Sequence, residues 1–303
     1  NEAAMSRQMA LYCGSTHHEL TIDQDQALFW VERALVTLDT PSVDAINTFI
    51  ISKAVATQGI KVALSGLGAD ELFGGYPSHR VVPLLRLLKF LPRSSRNTLL
   101  SVLCPPLARK TIDVEQWDDW HLSIALRRWA SNSDLMAAGL SPYQWPTPPA
   151  YGSLDTWGIC TLAELIGYTE PMLLRDTDAM SMACGLEIRV PFLDHRLVEF
   201  VLLSCRRFQR PGKVLLRTAC SDLFPIGYLN RRKLGFSLPM RSWMLGPLQA
   251  LCHTRLQSLR DSGLLDPLWI DQQWSSFESG HLSWTRAWSL VVLGEFTLRS
   301  SPT

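Results

Sequence analysis

The sequence lacks the features that mark several common classes of protein. Lys and Arg total 29 against 28 Asp and Glu, so it has no large excess of positive charge for a general nucleic-acid-binding surface. Apolar runs are short: Arg86 and Lys89 interrupt the richest one, residues 81–91, well before the length that a membrane span needs. The chain contains no internal repeat and no low-complexity segment. We therefore expect a globular protein that acts on neither nucleic acid nor membranes.

The number and spacing of the cysteines indicate the redox state of the cellular compartment. The seven cysteines are an odd number and form no CxxC pair, which argues against a disulfide framework or a zinc finger and fits a reducing cytosol. No stretch reads as a secretory signal peptide. Because the chain begins with Asn1 rather than Met, we expect a piece of a longer protein, with a cytoplasmic location.

Enough apolar residue is present for a large core. Hydrophobic residues make up 47% of the 303 positions, and that length allows one large domain or two of ordinary size. We divide the chain into an α/β nucleotide-binding part, residues 1–76, and a mainly helical part, residues 77–303.

Periodicity predicts the order of elements in the first part. A weak alternation over residues 17–22 suggests a short strand, and Asp23 then has the position of an N-cap with Gln26 three residues later. A second helix is predicted to begin at Thr40-Pro41 and to stop at Gly59. Next comes a short apolar run, residues 60–64, followed by a glycine-rich turn. A buried strand, a loop and a helix start are typical of α/β nucleotide-binding folds.

The second part reads as mainly helical. Helical patterns cover residues 161–205, 213–222 and 283–298, whereas the proline-rich stretch 141–149 predicts an irregular loop.

Three strings carry chemistry, and the first is SGLGADELFGGY at residues 65–76. Its glycines let the backbone turn sharply after a strand and approach a ligand, and N–H groups at the following helix start would face an anion. Asp70 and Glu71 sit beside that anion site, which makes sense where Mg²⁺ lies between carboxylate and phosphate. An ordinary β-to-α turn with solvated acids is the equally weighted alternative.

The second string, LLRDTDAMSMACGLEIRVPFLDH at residues 173–195, alternates acids and arginines inside an apolar segment. Buried charges must be paired, and we favour a structural ion-pair network of Glu187, Arg189 and Asp194. The third string joins GKVLLR at residues 212–217 with NRRKLGFSLP at residues 230–239. Its cations form either a solvated basic face or a clamp for a polyanion such as pyrophosphate.

In this order, the three strings resemble the synthetase domain of glutamine-hydrolysing asparagine synthetases and their β-lactam synthetase relatives. The resemblance runs from residue 1 almost to the C-terminus. It implies an adenine-nucleotide α-hydrolase-like fold, a doubly wound parallel α/β sheet with a large helical elaboration. It also implies a reaction in which ATP activates a carboxylate as an acyl-adenylate, releasing pyrophosphate, before ammonia displaces AMP.

The resemblance assigns roles to individual positions. The nucleotide-contacting loop matches residues 65–68, that is Ser65, Gly66, Leu67 and Gly68, and Asp70 matches a Mg²⁺ ligand of that loop. Lys213 matches the lysine that holds the departing pyrophosphate. Lys233 matches the lysine that stabilises the negative transition state at phosphorus. ATP and Mg²⁺ are thus the implied cofactors, and Lys213 and Lys233 the implied catalytic pair.

The sequence departs from the family in three places. The first phosphate loop, SGGxDS, is found nowhere in it, and neither is the N-terminal cysteine of the glutaminase domain. We therefore expect the distal part of a synthetase, inactive by itself, with a glutaminase domain as its partner in the intact protein. Leu67 stands where β-lactam synthetases have a catalytic Tyr, which favours simple amide formation over ring closure.

Alternative functions stay open at this point. The substrates would be small molecules, aspartate or another carboxylate together with ammonia or glutamine, and a homodimer is one arrangement that the resemblance allows. One alternative is amidation of a different carboxylate in a biosynthetic pathway. Another is a non-catalytic nucleotide-binding protein that has lost its phosphate loop.

Overall fold

The computed structural model describes residues 2–150, 152, 154–203, 210–225, 228 and 238–300, and most of them are helical. The α-helices of these residues are, in chain order, α1 (Glu2–Tyr12), α2 (Gln24–Thr37), α3 (Ala45–Ala56), α4 (Ala69–Leu72), α5 (Ser78–Arg86), α6 (Arg93–Leu103), α7 (Pro105–Thr111), α8 (Asp119–Arg127), α9 (Asn132–Ala137), α10 (Thr156–Glu164), α11 (Arg175–Met182), α12 (His195–Leu203), α13 (Val214–Ala219), α14 (Met240–Met244), α15 (Gln249–Asp261), α16 (Pro267–Glu278) and α17 (Trp284–Ser300). A π-helix, Leu165–Leu174, joins α10 to α11. Short 3₁₀ turns cover Leu87–Phe90, Pro191–Leu193 and Ser221–Leu223.

A small parallel sheet lies among these helices. Strand β1 (Val62–Leu64) pairs with β2 (Glu187–Arg189), with Ala63 opposite Ile188. The described residues contain these two strands and no others. A parallel α/β unit is therefore present, while the full doubly wound sheet remains a prediction.

The prediction that residues 60–64 form a buried strand is wrong about burial. Val62 is 43% exposed and Leu64 is 73% exposed, because β2 is the only described strand that pairs with β1. The sequence analysis did not predict strand β2, since three residues inside a helical pattern give no usable periodicity. The sheet therefore joins residues from both predicted parts of the chain.

Two further boundaries differ from prediction. Residues 17–22 form no strand, and α3 begins at Ala45 rather than at Thr40-Pro41. The N-cap at Asp23 is confirmed: its carboxylate accepts a hydrogen bond from Gln26 N at 2.8 Å. The irregular proline-rich stretch over residues 141–149 is confirmed as well, because its prolines exclude regular helix.

The helices bury two main groups of apolar side chains. The larger core joins α2 and α3 to α11 and to α14–α17, with Trp288 and Phe277 fully buried at its centre. A second group lies between α5, α6, α7, α8 and α10. At the end of α17, Arg299 donates hydrogen bonds to the Leu35 and Leu38 carbonyls, so it satisfies acceptors that the C-terminus of α2 leaves open.

Among the described residues, the longest apolar helical stretches fall short of what a bilayer crossing requires.

Candidate functional site

The glycine-rich loop follows β1 directly, as the sequence predicts. Ser65 N donates to the Arg189 carbonyl oxygen at 2.8 Å, which carries the β1–β2 pairing one residue past the strand. The Ser65 hydroxyl then accepts a hydrogen bond from Leu67 N at 3.3 Å. Helix α4 begins four residues after Ser65, at Ala69. Ligands bind at this carboxyl edge in parallel α/β folds.

Gly68 is required where the loop enters α4. Its φ of +94° is a left-handed conformation that L side chains rarely adopt. A Cβ at this position would also lie 2.6 Å from Leu193 Cδ2. Backbone conformation and packing together therefore select glycine here.

Asp70 packs against a second glycine. Gly75 N donates to the Asp70 carbonyl oxygen at 2.8 Å, and a Cβ on Gly75 would lie 1.6 Å from Asp70 Oδ1. The Gly74-Gly75 turn after α4 therefore gives the Asp70 carboxylate its space. The side chain is only 20% exposed, and its Oδ1 is buried.

Lys213 meets this carboxylate from a distant part of the chain. Its Nζ lies 3.0 Å from Asp70 Oδ1. Two backbone hydrogen bonds fix the turn, from Gly212 N to Gly74 O at 2.8 Å and from Lys213 N to Phe73 O at 2.9 Å. The roles that the resemblance gives to Lys213, Lys233 and Asp70 imply that they meet at one site. The structure brings Lys213 and Asp70 together.

The backbone of Lys213 is strained. Its φ is +61°, and it is the one non-glycine residue with positive φ in the described part of the chain. Such strain costs of order 1–3 kcal/mol and is commonly found at functional sites. Lys213 also precedes α13, whose residue Arg217 donates its N–H to the Lys213 carbonyl at 2.9 Å. The turn and the helix thus hold the ammonium group over the loop.

Glu71 does not stand beside Asp70 as a solvated acid. It is 1% exposed, and its Oε1 accepts hydrogen bonds from the Tyr76 and Thr169 hydroxyls, both at 2.9 Å. The expectation that both acids flank the anion site is therefore wrong for Glu71. Its carboxylate joins the glycine-rich loop to the π-helix.

A cation stacked between two tyrosines extends this buried network. The Arg127 guanidinium lies 4.0 Å from the centre of the Tyr76 ring and 3.9 Å from that of Tyr168, and it pairs with the buried Glu164. Burial and the nearby Glu71 raise the pKa of the Tyr76 phenol. Both phenols therefore stay neutral and serve as hydrogen-bond donors, Tyr76 to Glu71 and Tyr168 to Asp44.

The sequence analysis did not find this network. Its members come from α4, α8, α10, the π-helix and the segments that hold Asp44 and Tyr76. Nothing in the local pattern distinguishes Arg127 from its neighbour Arg128. The π-helix itself, which directs Thr169 to Glu71, had one available signal in Pro171.

His79 is connected to Glu71 through the Thr161 hydroxyl. It is 2% exposed, its Nε2 lies 3.1 Å from Thr161 Oγ1, and the Thr161 hydroxyl donates to the Glu71 carbonyl at 3.1 Å. Burial and the nearby Arg127 lower the pKa of His79 to about 4. The imidazole is therefore neutral at pH 7.

The acids and arginines of the second string do not form the predicted buried network. Glu187 pairs with Arg189 at 2.7 Å, and Asp194 pairs separately with Arg196 at 2.8 Å. All four side chains are exposed by more than a third. They make two surface ion pairs, which contribute little stability.

Two further site predictions concern Lys233 and the metal ion. Lys233 lies outside the described residues. For the metal, no group of three or more His, Cys, Asp or Glu side chains that could hold an ion occurs in the described part of the chain. Asp70 as a single carboxylate nevertheless fits Mg²⁺, which is commonly held by one or two carboxylates together with phosphate oxygens and water.

Comparison with known proteins identifies the family of this chain. The family model described as asparagine synthase matches residues 1–298. A putative glutamine-hydrolysing asparagine synthetase of Mycobacterium tuberculosis is 26% identical over 302 residues, which is 92% of this chain and 46% of that protein. Asparagine synthetase 1 of Bacillus subtilis is 26% identical over 80% of this chain and 41% of its own length. Amidase chyE of Penicillium rubens is 24% identical over 86% of this chain and 44% of its own length.

The chain spans less than half the length of these curated relatives. The region matched by the family model includes the glycine-rich loop, the Asp70–Lys213 pair and the surrounding helices. With that model covering residues 1–298, the chain belongs to the asparagine synthase family.

Proposed function

We propose that this chain carries the nucleotide site of a ligase that uses ATP to amidate a carboxylate. The observation that carries the proposal is the meeting of Lys213 and Asp70, 3.0 Å apart, at the loop after a parallel strand. A fixed ammonium beside a carboxylate suits a magnesium–pyrophosphate group, since each phosphate oxygen can contact either the cation of the protein or the metal.

The proposed reaction has two steps. A carboxylate oxygen of the acceptor attacks the α-phosphorus of ATP, and the bond from that phosphorus to pyrophosphate breaks. Ammonia then attacks the carbonyl carbon of the acyl-adenylate, AMP leaves with the bridging oxygen, and the nitrogen loses a proton to water. Aspartate is the first candidate acceptor, because several relatives are named asparagine synthetases.

Each of the site residues has its own role in the proposed reaction. The backbone of Ser65–Gly68 contacts the nucleotide, with Gly66, whose Cβ position is open, allowing close approach. Lys213 neutralises charge on the departing pyrophosphate, and Lys233 stabilises the transition state at phosphorus. Electrostatic stabilisation of this kind is commonly worth several kcal/mol.

Asp70 would hold Mg²⁺ in this scheme. When bound, the metal would supply charge neutralisation on the phosphate oxygens. Asp70 therefore serves in two ways, as a metal ligand and as the group that orients Lys213. Glu71, held by Tyr76 and Thr169, fixes the helix that carries Asp70.

A second acceptor class has its own support. Amidase chyE shows that a similar chain occurs in a protein with another name. Leu67 stands at the position of the catalytic Tyr of β-lactam synthetases and is apolar, so the residue itself contributes no charge for recognising one particular carboxylate. The alternative is therefore amidation of a different carboxylate, with glutamine-derived ammonia supplied by a glutaminase domain.

Pyrophosphate binding tests the nucleotide site directly. We expect isothermal titration of this chain with pyrophosphate and Mg²⁺ to give saturable binding that Lys213→Met weakens about tenfold. Lys89→Met removes an exposed lysine that lies over the Phe90 ring and should leave the affinity unchanged. Equal affinities for all three proteins would refute the site.

AMP release tests the reaction. The full-length protein is supplied with ATP, Mg²⁺, ammonium chloride and aspartate, and AMP is measured with and without aspartate. Aspartate-dependent AMP formation supports asparagine synthesis. If this chain binds pyrophosphate but the full-length protein forms no AMP with any of a panel of carboxylates, the nucleotide site stands and the proposed ligase activity is refuted.

A further inference from the structure

A cavity lies away from the glycine-rich loop. It has a volume of about 770 Å³ and is bounded by residues just before α3, by α7, by the loop between α8 and α9, by the π-helix and by α17. None of Ser65–Gly68, Asp70 or Lys213 lines it. This volume is in the range of small-molecule binding sites.

Five cations line the cavity, and they differ in how they are paired. The lining cations are Arg109, Lys110, Arg127, Arg128 and Arg286. Arg127 is committed to Glu164, and Arg128 to Asp113 at 3.3 Å. These two arginines need no further counter-ion.

The other three cations have a single carboxylate among them. Asp134 Oδ1 lies 3.1 Å from Arg286 Nη2 and 3.9 Å from Arg109 Nη2. Lys110 Nζ instead donates to the Leu126 carbonyl oxygen. The other acid of the lining, Asp44, accepts a hydrogen bond from the Tyr168 hydroxyl at 2.9 Å. Three cations thus face two carboxylates, so the wall has more positive than negative charge.

Asp134 has a second task that limits it as a counter-ion. Its Oδ2 accepts a hydrogen bond from the Ser131 N–H at 2.9 Å, which together with Asp134 N donating to Ser131 Oγ at 3.1 Å forms the capping box of α9. The same Oδ2 also accepts from the Ser131 hydroxyl at 3.0 Å. The Arg286 side chain is only 11% exposed, and its Nε makes no hydrogen bond to any residue in the described ranges. The wall thus has spare hydrogen-bonding capacity for an anion.

The rest of the lining is largely apolar or aromatic. Trp129 is 49% exposed, and its ring lies 5.2 Å from the Arg286 guanidinium. The apolar lining residues include Val43, Pro106, Met172, Leu282, Val292 and Leu293. A ligand that combines an anionic group with an apolar body would match both parts of this surface.

We infer that this cavity is a binding site for a small organic anion, a carboxylate or phosphate on an aromatic or aliphatic body, separate from the nucleotide site. Arg109, Lys110 and Arg286 hold the anionic group. Trp129 and the aliphatic wall contact the body. The site does not depend on the proposed ligase reaction, since none of the residues proposed to contact the nucleotide lines the cavity. Arg127 and Tyr168 of the buried network lie in its wall, and the proposal assigns them no contact with the anionic group.

Phenyl phosphate is a suitable probe, with neutral benzyl alcohol as the matched ligand without charge. We expect isothermal titration of the chain to give saturable binding of one phenyl phosphate and at least tenfold weaker binding of benzyl alcohol. The double variant Arg109→Gln/Lys110→Gln should bind phenyl phosphate at least tenfold more weakly. Lys89→Gln removes one exposed positive charge outside the cavity and should bind as the unaltered chain does.

Two further variants test whether phenyl phosphate binds inside this cavity. Ser289→Phe adds bulk to the lining without changing charge and should abolish binding, with circular dichroism and thermal melting checking that it remains folded. Lys213→Ala should bind phenyl phosphate normally. The inference is overturned if phenyl phosphate does not bind, if the double variant binds it unchanged, if a folded Ser289→Phe variant binds it unchanged, or if Lys213→Ala loses the binding instead.

Discussion

The Lys213 ammonium group lies 3.0 Å from the Asp70 carboxylate while the backbone of Lys213 is held at a φ of +61°. The turn that imposes this angle is fixed by hydrogen bonds to the Phe73 and Gly74 carbonyls at the end of the helix that carries Asp70. The strained turn and the ion pair thus act together to position the Lys213 ammonium group at the loop after β1.

Substituting Lys213 should separate the strain from the charge. Lys213→Ala and Lys213→Gly both remove the ammonium group, but only glycine adopts the left-handed angle without a Cβ penalty. We expect the glycine variant to be about 1 kcal/mol more stable than the alanine variant, measured by urea unfolding. Both variants should lose pyrophosphate affinity equally. Equal stability of the two would mean that the turn relaxes.

Three glycines of the first string allow a matched test of loop geometry. Gly75→Ala would place its Cβ against the Asp70 carboxylate, and Gly68→Ala would meet Leu193 at a positive φ. We expect each to lower the free energy of unfolding by about 1–3 kcal/mol. Gly66→Ala has open space around its Cβ and should change stability by about 0.5 kcal/mol or less. A loss at Gly66 as large as that at Gly75 would contradict the described packing.

The buried His79 predicts a pH-dependent stability. Its pKa of about 4 lies below the ordinary value of 6.5, so the unfolded chain takes up its proton first. The contribution of neutral His79 is therefore complete above pH 6.5 and is lost as the pH falls through 4. We expect the stability advantage of the unaltered chain over His79→Gln to shrink by about 2 kcal/mol between pH 7 and pH 5.

Asp176 provides the control for that measurement. Burial raises its pKa to about 6, and the sign is opposite: its protonated form stabilises the fold at low pH, and the contribution is lost as the pH rises through 6. In Asp176→Asn this opposing slope should be absent, so the variant should lose more stability on acidification from pH 7 to pH 5 than the unaltered chain.

For His79, a pH-independent difference in stability between the unaltered chain and His79→Gln would show that His79 is accessible to water.

The exposed strand predicts dye binding. Val62 and Leu64 are 43% and 73% exposed on β1, and exposed apolar surface binds 8-anilinonaphthalene-1-sulfonate. We expect Leu64→Thr, which retains strand propensity, to lower the fluorescence of bound dye. Lys89→Thr alters an exposed side chain without removing an exposed large hydrophobic one, and should leave the fluorescence unchanged. Unchanged fluorescence of Leu64→Thr would show that the dye binds elsewhere.

Local sequence determined the elements whose signals lie within a few residues. The Asp23 cap, the irregular stretch over 141–149 and the loop after β1 follow from a short polar side chain, from prolines and from glycines. The family could also be recognised from strings of contiguous residues, because a loop that contacts phosphate needs its glycines and carboxylate at fixed spacing.

The sequence by itself thus determined the family of this protein, the nucleotide-type loop and the identity of Asp70 and Lys213 as a candidate pair. Tertiary structure alone decided that β2 pairs with β1 and that Arg127 stacks between two tyrosines. It also decided that Glu71 turns inward to Tyr76 and Thr169 while Asp70 pairs with Lys213. The tertiary structure also forms the cavity beside α17, because its wall is assembled from helices distant in sequence. The reason is physical: caps and turns depend on neighbours along the chain, whereas burial, ion pairing and cavity shape depend on which surfaces the folded chain brings together.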